Sequence, residues 1–277
     1  MNAIEITNLT KKYKGFTLDN LCLNLPKGCI MGLIGENGAG KSTTIKMLLD
    51  IVRPDGGDIK IFGEKPTAIQ KNDIGVVLDE VGIPESFTIK DINAVMKHSF
   101  NNWNEQTFFQ YMAKFRLPEK KNFKTFSKGM KMKMGIAIAL SHDAKLLILD
   151  EPTSGLDPVV RDEIVEILND FTRDESHSIL ISSHIVSDLE KICDYIAFLH
   201  NGKLILIEEK DRLLEQFCFI NTTEDMLREL DKSAIIGKKS NKFGVEAIVD
   251  REKIPHSFNT QPVTIEELFI FMVKEAK

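Results

Sequence analysis

The segment Gly35-Glu36-Asn37-Gly38-Ala39-Gly40-Lys41-Ser42-Thr43 restricts the fold of this chain more than any other. It follows an apolar run, Cys29 to Ile34, that reads as a strand, and precedes the helical pattern Ile45-Lys46-Met47-Leu48-Leu49. Strand, glycine-rich loop and helix in that order are the context a phosphate-binding loop needs. The glycines let the backbone curl until successive N–H groups face one point, where they can cradle phosphate oxygens. The positive end of the following helix adds to the attraction.

A second element gives the loop a chemical counterpart. Leu146-Leu147-Ile148-Leu149 is a buried-strand pattern that ends in Asp150-Glu151. Two acids in that position fall at the carboxyl edge of a sheet, where open α/β sheets bind ligands. The combination of Gly35-x-x-x-x-Gly40-Lys41-Ser42 (Walker A) with an apolar strand and Asp150 (Walker B) predicts a nucleotide site. Gly35, Asn37, Gly38, Ala39, Gly40, Ser42 and Thr43 are its expected phosphate-binding residues. Lys41 is expected to reach the β- and γ-phosphates of ATP, with the Ser42 hydroxyl on Mg²⁺. Asp150 is expected to hold the metal through water and Glu151 to polarise the attacking water.

The rest of the chain supplies the organisation. Pro54-Asp55-Gly56-Gly57 reads as a turn, followed by strands at Asp58 to Phe62 and Ile74 to Leu78. From Pro84 to Ser141 the texture is helical: Thr88 with Asp91 makes a capping-box start, and Ser127 reads as the N-cap of a later helix. Asp157-Pro158 opens a helix whose apolar residues Val160, Ile164, Ile167, Leu168 and Phe171 share one face. Ser178 to Ser182 is a strand, and Ile196 to Leu199 with Leu204 to Ile207 flank the hairpin signal Asn201-Gly202. A boundary is expected around Glu208-Glu209. Beyond it come strand candidates Phe217–Asn221, Ala234–Gly237 and Gly244–Val249, then a helix from Thr264 capped by Glu267. Alternating strands and helices with one helical interruption predict an α/β fold around a largely parallel sheet.

With these motifs in place, residues 2 to 207 resemble the ATP-binding-cassette (ABC) ATPases. The resemblance implies a P-loop cassette fold, with a mainly parallel core sheet and an antiparallel β region. It places the cassette at 1–207, its helical subdomain at about 84–141 and a small α/β accessory domain at 208–277. Tyr13, in Thr10-Lys11-Lys12-Tyr13, stands where the family has its adenine-stacking aromatic. Phe126-Ser127-Lys128-Gly129-Met130 stands at the signature, normally Leu-Ser-Gly-Gly-Gln, so Ser127 and Gly129 are implied to grip a phosphate from the opposite side. Ser154-Gly155-Leu156-Asp157 matches the D-loop, bringing in Asp157, and His184 matches the switch histidine that touches the γ-phosphate. The family builds its catalytic site from Walker A of one cassette and the signature of another. The resemblance therefore implies a second cassette, as a homodimer or related chain, and a membrane permease on a separate chain.

Two motifs depart from the family pattern. The Q-loop glutamine, a metal ligand, is replaced by Asp79, or by Glu80 if the register slips by one residue. In the signature, Lys128 and Met130 replace glycine and glutamine, and Lys128 is expected to bring a positive charge near the partner's γ-phosphate. Ser-Lys-Gly-Met-Lys looks like the branch serving exporter-type permeases that move antibiotics, peptides, lipids or cell-surface precursors.

Composition narrows the alternatives. The 277 residues carry a net charge of −5 with 43% hydrophobic residues, which suits a globular chain and argues against a dedicated nucleic-acid binder. Four scattered cysteines form no C-x-x-C pair, as expected in a reducing compartment. No run approaches a membrane span and the first residues lack a secretion signal, so the expected location is cytoplasmic, peripheral to the membrane through the permease. The helical insertion holds ten Lys and Arg against four Asp and Glu, together with Trp103 and seven of the 17 phenylalanines. These aromatics can form a lipid-facing basic surface or simply a core under solvated lysines. The motifs also fit a soluble cassette acting on ribosomes or DNA, or a weakly active regulatory cassette. One cassette, a short insertion and the intact Glu151 and His184 favour the transporter subunit.

Overall fold

The computed structural model describes residues 1–66, 70–242 and 244–275. The chain opens with β1 (Asn2–Tyr13), β2 (Phe16–Pro26), β3 (Ile30–Ile34), α1 (Lys41–Leu48), β4 (Gly56–Ile61) and β5 (Ile74–Val77). Three helices follow, α2 (Ile89–Ser99), α3 (Glu105–Lys114) and α4 (Lys128–Leu140). Strands then alternate with helices: β6 (Leu146–Asp150), α5 (Pro158–Phe171), β7 (Ser178–Ser183), α6 (Val186–Ile192), β8 (Tyr195–His200) and β9 (Lys203–Glu209). The last stretch contains α7 (Lys210–Gln216), β10 (Phe217–Thr222), α8 (Glu224–Arg228), β11 (Ile235–Asn241), β12 (Gly244–Asp250), β13 (Thr260–Pro262) and α9 (Ile265–Glu275). Two compact units result, Met1–Leu206 and Ile207–Lys277.

The first unit is organised by a six-stranded sheet in the order β5-β6-β7-β3-β8-β9. Every residue of β3, β6 and β7 is buried. That is why these segments read as unbroken apolar runs: a parallel strand covered on both faces has no solvent side on which to place polar residues. Pairing is parallel from β5 to β6, β6 to β7, β7 to β3 and β3 to β8. The turn to β9 uses Asn201 and Gly202, both at positive φ (47° and 78°), as a two-residue hairpin requires.

A second, antiparallel sheet of order β2-β1-β4 belongs to the same unit. Its central strand β1 pairs with β2 and β4, and Ile4, Ile6, Leu21, Leu23 and Leu25 are buried at alternating positions. The strict alternation of Leu21, Leu23 and Leu25 is a half-buried strand pattern.

The helical insertion leaves from β5 and returns into β6, which are neighbours in the sheet. Its helices start where local chemistry directs. Thr88 and Asp91 form the reciprocal capping box of α2, Asn104 caps α3, and the Ser127 hydroxyl accepts from Met130 N–H at the start of α4. The aromatics mostly pack inward: Phe108, Phe115, Phe123 and Phe126 are buried, and the Phe108 ring centroid lies 5.1 Å from that of Trp103. The core alternative therefore accounts for these four rings. Phe108→Ala is expected to cost about 3–5 kcal/mol, since it removes a fully buried ring from a site fixed on several sides. Urea denaturation of the variant checks this.

The second unit is a four-stranded antiparallel sheet, β11-β12-β10-β13. Its apolar centre includes Cys218, Ile220, Leu227, Val245, Ala247 and Val249. Thr264 and Glu267 form the expected cap of α9, and α9 packs on β11. Among the described residues no helix is long and apolar enough to cross a membrane.

Candidate active site

Register decides which side chains meet at the carboxyl edge of the six-stranded sheet. Ile34 of β3 pairs with Ser183 of β7, and Asp150 of β6 pairs with Ser182. The three strands therefore end level. The glycine loop follows one of them, Glu151 the second and His184 the third, so their side chains are delivered to one place.

The loop holds its shape through two demands that only glycine meets. Gly40 sits at φ 114° as the N-cap of α1, in the left-handed region that costs other residues energy. At Gly35, a Cβ would lie 2.5 Å from the Leu199 carbonyl oxygen, so any side chain would push the loop off the sheet. The Gly202 N–H anchors the loop from behind by donating to Ala39 O at 3.0 Å. No side chain caps the start of α1, which leaves its first-turn N–H groups for a ligand.

A cavity of about 590 Å³ opens in front of the loop, lined by Gly15, Phe16, Glu36, Asn37, Gly38, Gly40, Lys41, Ser42, Thr43, Asp79, Asp150 and Glu151. Lys41 is 5% exposed and donates to Gly35 O at 2.7 Å. Its ammonium also lies 3.2 Å from Glu151 Oε1. Glu151 Oε2 in turn lies 2.6 Å from His184 Nδ1 and accepts from the His184 backbone N–H at 3.3 Å. Because a carboxylate oxygen only accepts, Nδ1 is the donor in that bond. Glu151 thus stands between the lysine and the histidine, touching both.

Asp150 is 6% exposed and accepts from the Ser182 hydroxyl at 2.5 Å. The Glu151 N–H donates to Ser182 O at 3.1 Å and to Ser182 Oγ at 3.2 Å. One serine therefore fixes the side chain of the first acid and the backbone of the second. Ser42, Asp79 and Asp150 offer hard oxygen donors, the chemistry that suits Mg²⁺. Among the described residues no group of three His, Cys, Asp or Glu side chains could hold a metal. A cation here would complete its shell with substrate oxygens and water, as Mg²⁺ commonly does.

Not every expected site residue lines this cavity. Ala39 is buried in the loop wall, and Gly35 lies behind it against Leu199. Tyr13 ends β1 with 46% exposure, its ring centroid 5.8 Å from the Lys11 ammonium, while Phe16 across the strand turn forms part of the wall. Ser127 and Gly129 lie at the start of α4, and Asp157 caps α5 by accepting from Val160 N–H at 3.1 Å. These three sit outside the cavity of their own chain. Asp79 lines it, whereas Glu80 lines a neighbouring cavity only. Lys128 pairs with Asp79 at 3.4 Å. Gly15, Phe16, Glu36 and Ser182 were missed from sequence, although Ser182 ends the strand read at Ser178 to Ser182.

The fold and the motifs have counterparts among known proteins. The family described as ABC transporter matches residues 18–154. The lantibiotic transport ATP-binding protein SrtF of Streptococcus pyogenes is 40% identical over 211 residues, covering 75% of this chain and 91% of that protein. The bacitracin transport ATP-binding protein BcrA of Bacillus licheniformis is 38% identical over 214 residues, covering 73% of this chain and 68% of that one. A solved ATP-binding subunit of an ABC transporter superposes with a TM-score of 0.69 at 28% identity, over 77% of this chain and 92% of its own.

Proposed function

This chain belongs to the ABC transporter ATP-binding family, and from that premise we propose that it drives export of a peptide antibiotic or a similar molecule through a separate membrane permease. It is an ATP-hydrolysing cassette, and it binds ATP. The observation that carries the proposed chemistry is the contact of Glu151 with both Lys41 and His184 at the edge of the phosphate cavity.

In the structure the buried lysine and the glutamate neutralise each other. An incoming polyphosphate takes Lys41, together with the loop N–H groups and the start of α1. Glu151, relieved of its cation, is left beside the γ-phosphate, where it orients a water and accepts its proton. His184 steadies Glu151 and faces the same phosphate. Ser42, Asp150 and Asp79 would hold Mg²⁺, which would supply positive charge to offset that of the phosphates. Tyr13, with Phe16 nearby, is the aromatic assigned to adenine. A second cassette supplies Ser127, Gly129 and Asp157 across the nucleotide, so ATP joins the pair and hydrolysis releases it.

The permease reading has its own support. An apolar groove of about 310 Å³ is lined by Leu48, Leu49, Ile51, Val76, Leu78, Phe100 and Ile138, among others, with Ile51 59% exposed. Such a groove suits a short helix from a membrane partner, which would place the cassette on the inner membrane face. The relatives named for lantibiotic and bacitracin transport indicate the cargo class.

Tagged protein isolated from detergent-treated membranes tests this reading. A multi-span membrane chain should co-purify, and deletion of the gene should sensitise the host to membrane-acting peptide antibiotics. Co-isolation with ribosomes or DNA, lost at raised salt, would instead favour a soluble nucleic-acid-directed cassette.

A further inference from the structure

Two of the residues that depart from the family pattern, Lys128 and Asp79, lie far apart in sequence yet form one ion pair. Lys128 Nζ is 3.4 Å from Asp79 Oδ1. Asp79 belongs to two cavities at once, the nucleotide cavity and a second one of about 540 Å³ that Lys128 also lines. On its way to Asp79 the lysine crosses the backbone of the D-loop: a Cβ placed on Gly155 would lie 3.4 Å from Nζ. The ammonium, carried from the start of α4, therefore reaches the segment after β5 and passes close to the loop before α5.

The charges facing the nucleotide explain what this contact does. Among the described residues four carboxylates line that cavity, from Glu36, Asp79, Asp150 and Glu151, and Lys41 is its one lining cation. Lys41 is paired with Glu151, so it offsets one carboxylate; Lys128 offsets a second from outside. Around Asp79 the other charged groups are Glu80, Glu85 and Lys131, and Lys131 stands 5.2 Å from the Phe123 ring centroid.

We propose that Lys128 is a positioning residue that holds Asp79 and masks its charge until a divalent cation claims the carboxylate, and so sets how strongly nucleotide binding depends on Mg²⁺. The proposal rests on the reading of Asp79 as a cation ligand. Its signature is a loss of affinity confined to the metal-free nucleotide. Without the lysine, metal-free ATP meets an unmasked carboxylate and binds more weakly. With Mg²⁺ present the cation itself satisfies Asp79 and no lysine has to be displaced, so Mg·ATP binds as well or more tightly. Both side chains are about half exposed, so water and salt screen the pair and the shifts are modest.

A fluorescent ATP analogue, titrated with Mg²⁺ or with EDTA, measures the two affinities. The protein is used at a dilution where light scattering shows a monomer, so that no partner signature intervenes. For K128M the ratio of the metal-free Kd to the Mg²⁺ Kd should rise about three- to fivefold at low salt, and K128R should return it to the wild-type value. In a D79N background, K128M should change nothing. Melting without nucleotide confirms that each variant is folded. A wild-type ratio for K128M while D79N shifts it would overturn the masking role and leave Asp79 as a ligand. The same K128M effect with and without D79N would also overturn it. A D79N variant with the wild-type ratio would remove the ligand reading and the proposal together.

Discussion

Replacing Glu151 by glutamine is expected to slow ATP hydrolysis by about 10²–10⁴-fold, the range that a positioned general base contributes. Binding should survive. The glutamate is paired with Lys41 at 3.2 Å, and an arriving phosphate competes for the same lysine. A neutral amide competes for the lysine less well, so the variant should hold ATP at least as tightly as the parent. It should then accumulate as an ATP-bound dimer that elutes early on size exclusion, an effect ADP should not reproduce. Turnover at the parental rate would remove Glu151 as the base, and with it the role assigned to the Lys41–Glu151–His184 array.

Lys41→Ala is the second large effect. Lys41 is 5% exposed and, among the described residues, is the one cation lining the cavity, so its removal leaves Glu151 with His184 and leaves the polyphosphate without that charge partner. Charge-assisted hydrogen bonds contribute about 1.5–3 kcal/mol each, so ATP affinity should fall by about 10- to 150-fold. Thermal melting reads this directly. ATP at about ten times the wild-type Kd should raise the melting temperature of the wild type by mass action and raise that of the variant far less. An equal rise in both would show that the nucleotide binds elsewhere.

The buried parallel core was readable because each of its strands is short, apolar and followed by chemistry. Residues 30–34 lead to the glycine loop, 146–150 to the acid pair, and 178–183 to His184. The caps were readable for a related reason: Thr88 with Asp91, Ser127 and Thr264 with Glu267 act over three or four residues, so the sequence displays them whole. The antiparallel sheet was less legible. β1 breaks its alternation at register shifts after Ile6 and Leu9, and β2 shows clean alternation only over Leu21, Leu23 and Leu25. The short elements α7, α8 and β13 carry too little periodicity to stand out.

Within the site, sequence order identified the groups but not their pairing. Nothing local says that Ser182 will fix Asp150, because that contact comes from the register of β7 against β6. Asp79 and Lys128 behave alike in this respect. Each looked like an isolated oddity, one an extra negative charge beside phosphate and the other an extra positive charge aimed at a partner. Only the packing of α4, at the end of the helical insertion, against β5 brings them within 3.4 Å.

The backbone of Glu151 is at φ 54°, a left-handed conformation that costs a residue with a side chain about 1–2 kcal/mol. Glycine would sit there at ease, so this cassette forgoes some resistance to heat in order to keep a carboxylate at that corner. A laboratory selection that rewarded hardiness alone would drift toward a sturdier and inert protein. Breeding for endurance in this scaffold has to be scored on turnover as well.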